Sequence, residues 1–169
     1  MIQNKVKLLI VDDDEDDVVL IKDIIADSMG NRVDVSCARS ASEALSNFDR
    51  YLFDLCFLDY KLGKDDGLKL LHEIKVKGID TSIILLTGQG SEDVAVDALK
   101  NGAVDYIRKS KLSSDVVCSA IRYTLELRRN EDERKKLDQE RDELIEKLKE
   151  KHDLNYETHA TYDFIEEDE

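Results

Sequence analysis

The chain has 169 residues, 39 acidic against 25 basic, for a formal net charge of −14, and it contains no Pro or Trp. Such an excess of negative charge repels phosphate backbones and anionic lipid surfaces, so direct nucleic-acid binding is not expected and a protein or metal-ion partner is favoured. No apolar run approaches the ~18–20 residues that span a bilayer, and no charged leader precedes a long apolar stretch, so the expectation is a cytoplasmic protein without membrane insertion.

Short β-rich runs alternate with helical patterns along the chain. Val6 to Val11, Val33 to Cys37, Phe53 to Leu58, Ser82 to Leu86 and Val104 to Arg108 read as strands, each followed by a helix candidate. Val6 to Val11 and Ile83 to Leu86 are almost continuously apolar, as expected of strands buried on both faces of a parallel sheet. The fold class that follows is an open, doubly wound α/β domain with five parallel strands. Ser40 with Glu43 reads as a capping box. Ser91 before Glu92 and Asp93, and Ser114 before Asp115, place a cap and then negative charge at the positive end of a helix dipole. Gly30, Gly78 and Gly102 read as helix stops. In the third helix Leu68, Leu71, Ile74 and Lys75 recur at helical spacing.

Cys37, Cys56 and Cys118 are odd in number, widely spaced and set in or beside apolar segments, which predicts buried reduced thiols. From Ser114 to about Lys151 the chain has no helix breaker, and a helix of that length would extend ~55 Å. Leu137, Leu144 and Leu148, with Tyr123 and Leu127 before them, fit a seven-residue repeat whose seam also takes Asn130, Arg134 and Arg141. Two readings stand equally here: a partly polar coiled coil, and a solvated helix held by pairs such as Glu131 with Lys135 or Glu143 with Lys147. His152 to Glu169 holds seven acids and no Lys or Arg, and is expected to be disordered, or ordered only on a partner. The domain reading is therefore residues 1–125, a helical extension at 126–151 and an acidic tail at 152–169.

In a doubly wound sheet the ligand site lies outside the carboxyl ends of the strands. The first strand ends in Asp12, Asp13 and Asp14, the third in Asp59, the fourth in Thr87, and the fifth near Lys109. Carboxylates gathered together repel unless a hard cation sits among them, and Mg²⁺ takes one or two carboxylates with phosphoryl oxygens and waters. A lysine ammonium and a threonine hydroxyl suit the remaining phosphoryl oxygens. This set fits phosphoryl transfer to an aspartate.

With LLIVDDD, FLDYKLGKDDG around Asp59, ILLTGQG around Thr87 and NGAVDYIRK ending at Lys109, residues 5 to 125 resemble the receiver domain of two-component response regulators. The resemblance implies a flavodoxin-like sheet of order 2-1-3-4-5, here with an extended C-terminal helix. It implies that Asp59 accepts a phosphoryl group from the phosphohistidine of a sensor histidine kinase or a phosphotransfer protein. It also implies that Asp12, Asp13, Asp59 and the backbone carbonyl of Lys61 hold Mg²⁺, that Thr87 and Lys109 contact phosphoryl oxygens, and that Thr87 and Tyr106 form the conformational switch. Lys61 and Gln89 stand where the family varies its dephosphorylation rate. The family usually has a cis proline after the lysine, whereas Ser110 follows Lys109 here; either a costly non-proline cis bond is kept or the loop takes a trans path. Output is expected through protein contacts, with a homodimer formed by the helix.

Two other functions fit parts of the sequence. A receiver-like scaffold independent of phosphate would use the coiled coil as its working part, and the complete acidic, Thr and Lys set argues against it. A haloacid-dehalogenase-like phosphatase would use Asp12-x-Asp14, but Glu15 and Asp16 stand where Gly and Thr are expected and Asp59 has no role. Asp14, Glu15, Asp16 and Asp17 are assigned to capping the first helix, at the positive end of its dipole, and not to metal; Asp65 and Asp66 to a turn and helix start, Asp54 and Asp105 to strand edges, and His72, His152 and His159 to the surface.

Overall fold

The computed structural model describes residues 5–88 and 92–162, with the backbone alone at residue 92 and at 153–162. The chain divides into two units, Met1–Leu127 and Arg128–Glu169.

In the first unit the strands are β1 (Val6–Val11), β2 (Val33–Ala38), β3 (Leu55–Asp59), a short hairpin of β4 (Lys61–Leu62) and β5 (Asp65–Asp66), then β6 (Ser82–Thr87) and β7 (Asp105–Arg108). The helices are α1 (Glu15–Met29), α2 (Ala41–Arg50), α3 (Gly67–Val76), α4 (Glu92–Lys100) and α5 (Ser114–Tyr162). The main sheet is parallel with order β2-β1-β3-β6-β7, which over its five strands alone is the expected 2-1-3-4-5. Register runs from Leu8 opposite Leu55 to Asp59 opposite Leu86, so the carboxyl ends of the central strands finish side by side.

The alternation of a strand explains the two cores. Leu9 and Val11 of β1 face a layer with Phe48 of α2, Leu71 and Ile74 of α3 and Ala98 of α4. Leu8 and Ile10 face the opposite layer, with Ile21 and Ile25 of α1 and Val117, Ala120 and Ile121 of α5. Each fully buried Val, Leu or Ile side chain among them contributes about 1.5–3 kcal/mol against leaving it exposed. In α3 the buried stripe is Leu70, Leu71 and Ile74; Lys75 is exposed, and its Nζ donates to the Thr81 carbonyl at 3.4 Å.

The local signals behave as chemistry dictates. Ser40 Oγ accepts from the Glu43 N–H at 3.2 Å, and the Glu43 carboxylate returns a bond to the N–H of Arg39 at 2.8 Å, one residue before the cap. Gly30 closes α1 at φ +55°, a conformation that side chains resist. The α5 cap is Ser113, whose Oγ accepts from the Val116 N–H at 3.3 Å, and not Ser114, whose hydroxyl meets that of Ser28 instead. The expected cap at Ser91 and the position of Gln89 lie outside the described residues. Among the three thiols, all free, Cys56 is fully buried and Cys37 and Cys118 are half-buried.

In the second unit α5 continues past the expected helix end at residue 151 to Tyr162, since no Gly or Pro interrupts that stretch. The helix there corrects the expectation of disorder from residue 152; residues 163–169 lie outside the described part. Leu137, Leu144, Ile145 and Leu148 are 65, 60, 43 and 66 % exposed. Arg141 pairs with Asp138 and Asp142 along the same helix, at 3.3 and 2.9 Å.

Candidate functional site

The first strand does not stop cleanly at Val11: the Asp12 N–H still donates to the Ala38 carbonyl of β2 at 3.1 Å, which fixes Asp12 at the sheet edge. The Asp12 carboxylate then accepts from the Asp14 N–H at 3.0 Å, and that of Asp14 from the Asp16 N–H at 2.9 Å, so successive Asx turns start α1. Asp14 is thus the cap, as its sequence position predicted.

Asp59 is the last residue of β3. The next residue, Tyr60, donates its N–H to the Leu86 carbonyl at 2.8 Å and accepts from the Gly67 N–H at 2.8 Å, drawing the start of α3 against the strand end. A Cβ at Gly67 would lie 2.2 Å from the Asp59 carbonyl oxygen, so only glycine permits this closure. Between them the hairpin turns at Gly63 (φ +56°), where a Cβ would stand 3.3 Å from the Asp13 carboxylate.

Asp12 and Asp59 are buried, Asp13 is exposed, and oxygens of the three carboxylates lie within 4.8 Å of one another. Thr87 ends β6 beside them in the sheet order and is buried. Lys109 follows β7 in a 3-10 turn, Lys109–Lys111, whose Leu112 N–H returns to the Lys109 carbonyl at 3.2 Å. Its ammonium stands 2.7 Å from Asp12 Oδ2, 2.7 Å from Asp17 Oδ2 and 3.3 Å from Asp59 Oδ1. Among the described residues no peptide bond is cis, so Ser110 is joined to Lys109 in trans. Asp17, Asp59, Tyr60, Lys61, Gly88 and Lys109 line a cavity of about 260 Å³.

Burial and the neighbouring Asp12 charge push the Asp59 carboxyl up to about 6, against the pull of Lys109 and of the Lys61 backbone N–H. Burial likewise raises Asp12, with Lys109 opposing. For Lys109 burial works against the charge, but the carboxylates of Asp12 and Asp17, each 2.7 Å away, outweigh it and hold the ammonium above its usual value. The site is one cation among carboxylates that repel one another, short of positive charge.

The donor set fits a hard divalent cation. Asp12 Oδ2 is buried and without a directed hydrogen bond, although the Lys109 ammonium is 2.7 Å away, and two further carboxylates present oxygens to the same point.

The structure brings together Asp12, Asp13, Asp59, Lys61 and Lys109, with Thr87 at the neighbouring strand end. Lys61 shows its backbone N–H to Asp59, and its side chain is exposed. Tyr106 is elsewhere: half-buried on β7, it packs on the α2–α4 core layer and lines a separate groove of about 680 Å³ with Val116, Ala120 and Tyr123 of α5. Asp17 stands in the first turn of α1, where its place in the sequence puts it, and it also accepts a hydrogen bond from Lys109. A carboxylate in a first helical turn is adequately explained by the dipole, and nothing in the order of residues signals a partner as distant in the chain as Lys109.

A doubly wound parallel sheet with an acidic cluster, a threonine and a lysine at its carboxyl edge defines a class of α/β proteins that bind ligands at strand ends. Residues 8–122 match the model of the response regulator receiver domain, and the chain belongs to that family of signalling proteins. The chain is 34% identical over 107 residues to the alginate biosynthesis transcriptional regulatory protein AlgB of Pseudomonas syringae pv. tomato, covering 63% of this chain and 23% of that one. With the transcriptional regulatory protein ZraR of Salmonella typhimurium identity is 34% over 109 residues, 64% of this chain and 24% of the other. The chain thus spans about a quarter of the length of these curated relatives. Among solved structures, NtrX from Brucella abortus superposes with a TM-score of 0.71 at 30% identity, covering 79% of this chain and 29% of that chain. A CheY-like receiver domain protein from Methanospirillum hungatei does so with a TM-score of 0.67 at 28% identity, covering 76% and 99%.

Proposed function

We propose that this protein is a phosphoacceptor of two-component signalling in which Asp59 takes a phosphoryl group from the phosphohistidine of a sensor histidine kinase or phosphotransfer protein. The observation that carries the reading is the Lys109 ammonium within 3.3 Å of the Asp59 carboxylate, inside a cluster where Asp12 and Asp13 present two further carboxylates. A carboxylate oxygen of Asp59 attacks phosphorus, the P–N bond breaks, and the departing imidazole nitrogen keeps the electron pair and takes up a proton. The product on this chain is an acyl phosphate. Lys109 pairs with one phosphoryl oxygen and the Thr87 hydroxyl donates to another. Asp12, Asp13 and Asp59, with the Lys61 carbonyl, would hold Mg²⁺, which when bound neutralises charge on the phosphoryl oxygens.

The readout that fits this placement is a shift between two arrangements of Thr87 and Tyr106, since Tyr106 already borders an open groove between β7 and α5. Output then passes to a protein partner in the cytoplasm. The exposed Leu137, Leu144 and Leu148 support a coiled-coil homodimer built on the α5 extension. The domain reading that goes with this is a receiver at 1–125 and a helical extension that follows it.

Incubation of the full chain with Mg²⁺ and acetyl phosphate, followed by intact mass, tests the assignment. One phosphoryl group is expected on the wild type and none on Asp59→Asn; retention of the added mass in the variant would overturn the choice of acceptor.

A further inference from the structure

We propose that Asp17 is a positioning residue that holds the Lys109 ammonium over the acceptor carboxylate; this rests on the reading of Asp59 as phosphoacceptor. Four observations converge on it. Asp17 Oδ2 accepts a hydrogen bond from Lys109 Nζ at 2.7 Å, as short as the approach to Asp12 and shorter than the 3.3 Å to Asp59. Both side chains line the cavity beside Asp59. Asp17 has no capping task, since Asp14 caps α1 and binds the Asp16 N–H. The 3-10 turn at Lys109–Lys111 fixes the backbone of Lys109 but leaves its side-chain torsions to be set by contacts at the ammonium.

A lysine side chain has four rotatable bonds, so an ammonium fixed over one oxygen needs a second anchor. Of the three carboxylates around Nζ, Asp12 and Asp59 belong to the cluster that takes up new charge during phosphorylation. Asp17 stands outside that cluster, on the first turn of α1, and its hold persists whether or not Asp59 is modified. It ties the edge after β7 to the edge after β1 across the site. Lys109 is thereby kept within reach of a phosphoryl oxygen instead of turning to solvent.

The test compares the full-length wild type, Asp17→Ala, Asp17→Asn, Lys109→Ala and the double variant Asp17→Ala with Lys109→Ala, each with Mg²⁺ and acetyl phosphate. Initial rates of phosphoryl addition are followed by intact mass and thermal midpoints are recorded beside them. Asp17→Ala should slow addition by about five- to ten-fold, the loss of one charge-assisted hydrogen bond. Asp17→Asn should recover part of the rate, because its amide oxygen still accepts from the ammonium. In the Lys109→Ala background Asp17→Ala should change nothing further. An Asp17→Ala rate equal to or above wild type overturns the proposal, and so does an undiminished loss in the Lys109→Ala background, which would assign Asp17 to the helix dipole. If Asp17→Ala does not fold, the rate of Asp17→Asn decides: a wild-type rate overturns the proposal. Failure of the wild type itself to take up phosphate overturns the acceptor reading, and the positioning role with it.

Discussion

At Asp59 a carboxylate is buried beside another carboxylate and relieved by one lysine. Because its folded-state value, about 6, lies above the ordinary 3.8, the native chain binds a proton there more tightly than the unfolded chain does. Stability from this group therefore falls as pH rises through the window between those values, and the cost is complete above it. Asp59→Asn, measured without divalent cations, is expected to be more stable than wild type at pH 7.5 by about 2 kcal/mol, with the gain gone below pH ~4. Denaturant titrations at the two pH values check both the sign and the window. Gly67 makes an opposite prediction at the same site. Its absent Cβ would meet the Asp59 carbonyl at 2.2 Å, so Gly67→Ala should destabilise by about 3 kcal/mol and slow phosphoryl addition as the strand end is pushed aside.

At the level of elements, the strands were legible because burial on both faces leaves a continuous apolar run that few other structures need. The sequence placed Val6 to Val11 at the bounds that β1 has, and the carboxyl ends of four strands then nominated Asp12, Asp59, Thr87 and Lys109 without reference to any contact. The two-residue strands of the β4–β5 hairpin left no periodic trace, since a pattern of period two cannot be read from Lys61–Leu62 or Asp65–Asp66. Lys75 for Leu70 on the buried stripe of α3 is an error of phase, because two leucines in succession, Leu70 and Leu71, allow either line to be drawn around the helix. The contact of Asp17 with Lys109 was illegible for another reason: a local explanation was sufficient, and the second partner follows the strand at the far end of the sheet. The second unit tests the element itself. Leu125 packs on the α1–α5 core layer, so a chain ending after Leu127 keeps every core contact of the first unit. It should fold cooperatively and take up one phosphoryl group, and on the proposed coiled-coil reading it should be monomeric by light scattering while the full chain should be dimeric.

For the whole molecule, the proposed cation binding would be linked to folding. The carboxylates of Asp12, Asp13 and Asp59 come from two strand ends that converge only when the sheet is assembled, so the unfolded chain offers no comparable site. Mg²⁺ at a hundred times its dissociation constant should therefore stabilise the full chain by about 2.7 kcal/mol. Asp13→Asn should remove most of that increment while leaving stability without Mg²⁺ close to wild type, since Asp13 is exposed. A melting series in Mg²⁺ for both proteins reads the difference.

Cys56 turns the same linkage into a clock. It lies on the central strand β3, three residues before Asp59, with no exposed surface, and burial raises its thiol far above the ordinary range. A thiol reagent can trap it only when the sheet opens, whereas the partly exposed Cys37 and Cys118 should be reached without that event, Cys37 the more slowly because burial raises its thiol. Where opening and closing are fast against trapping, the labelling rate of Cys56 measures the open fraction directly. Each ten-fold excess of cation over its dissociation constant should lengthen the trapping time about ten-fold, with Cys37 and Cys118 as internal references that barely change.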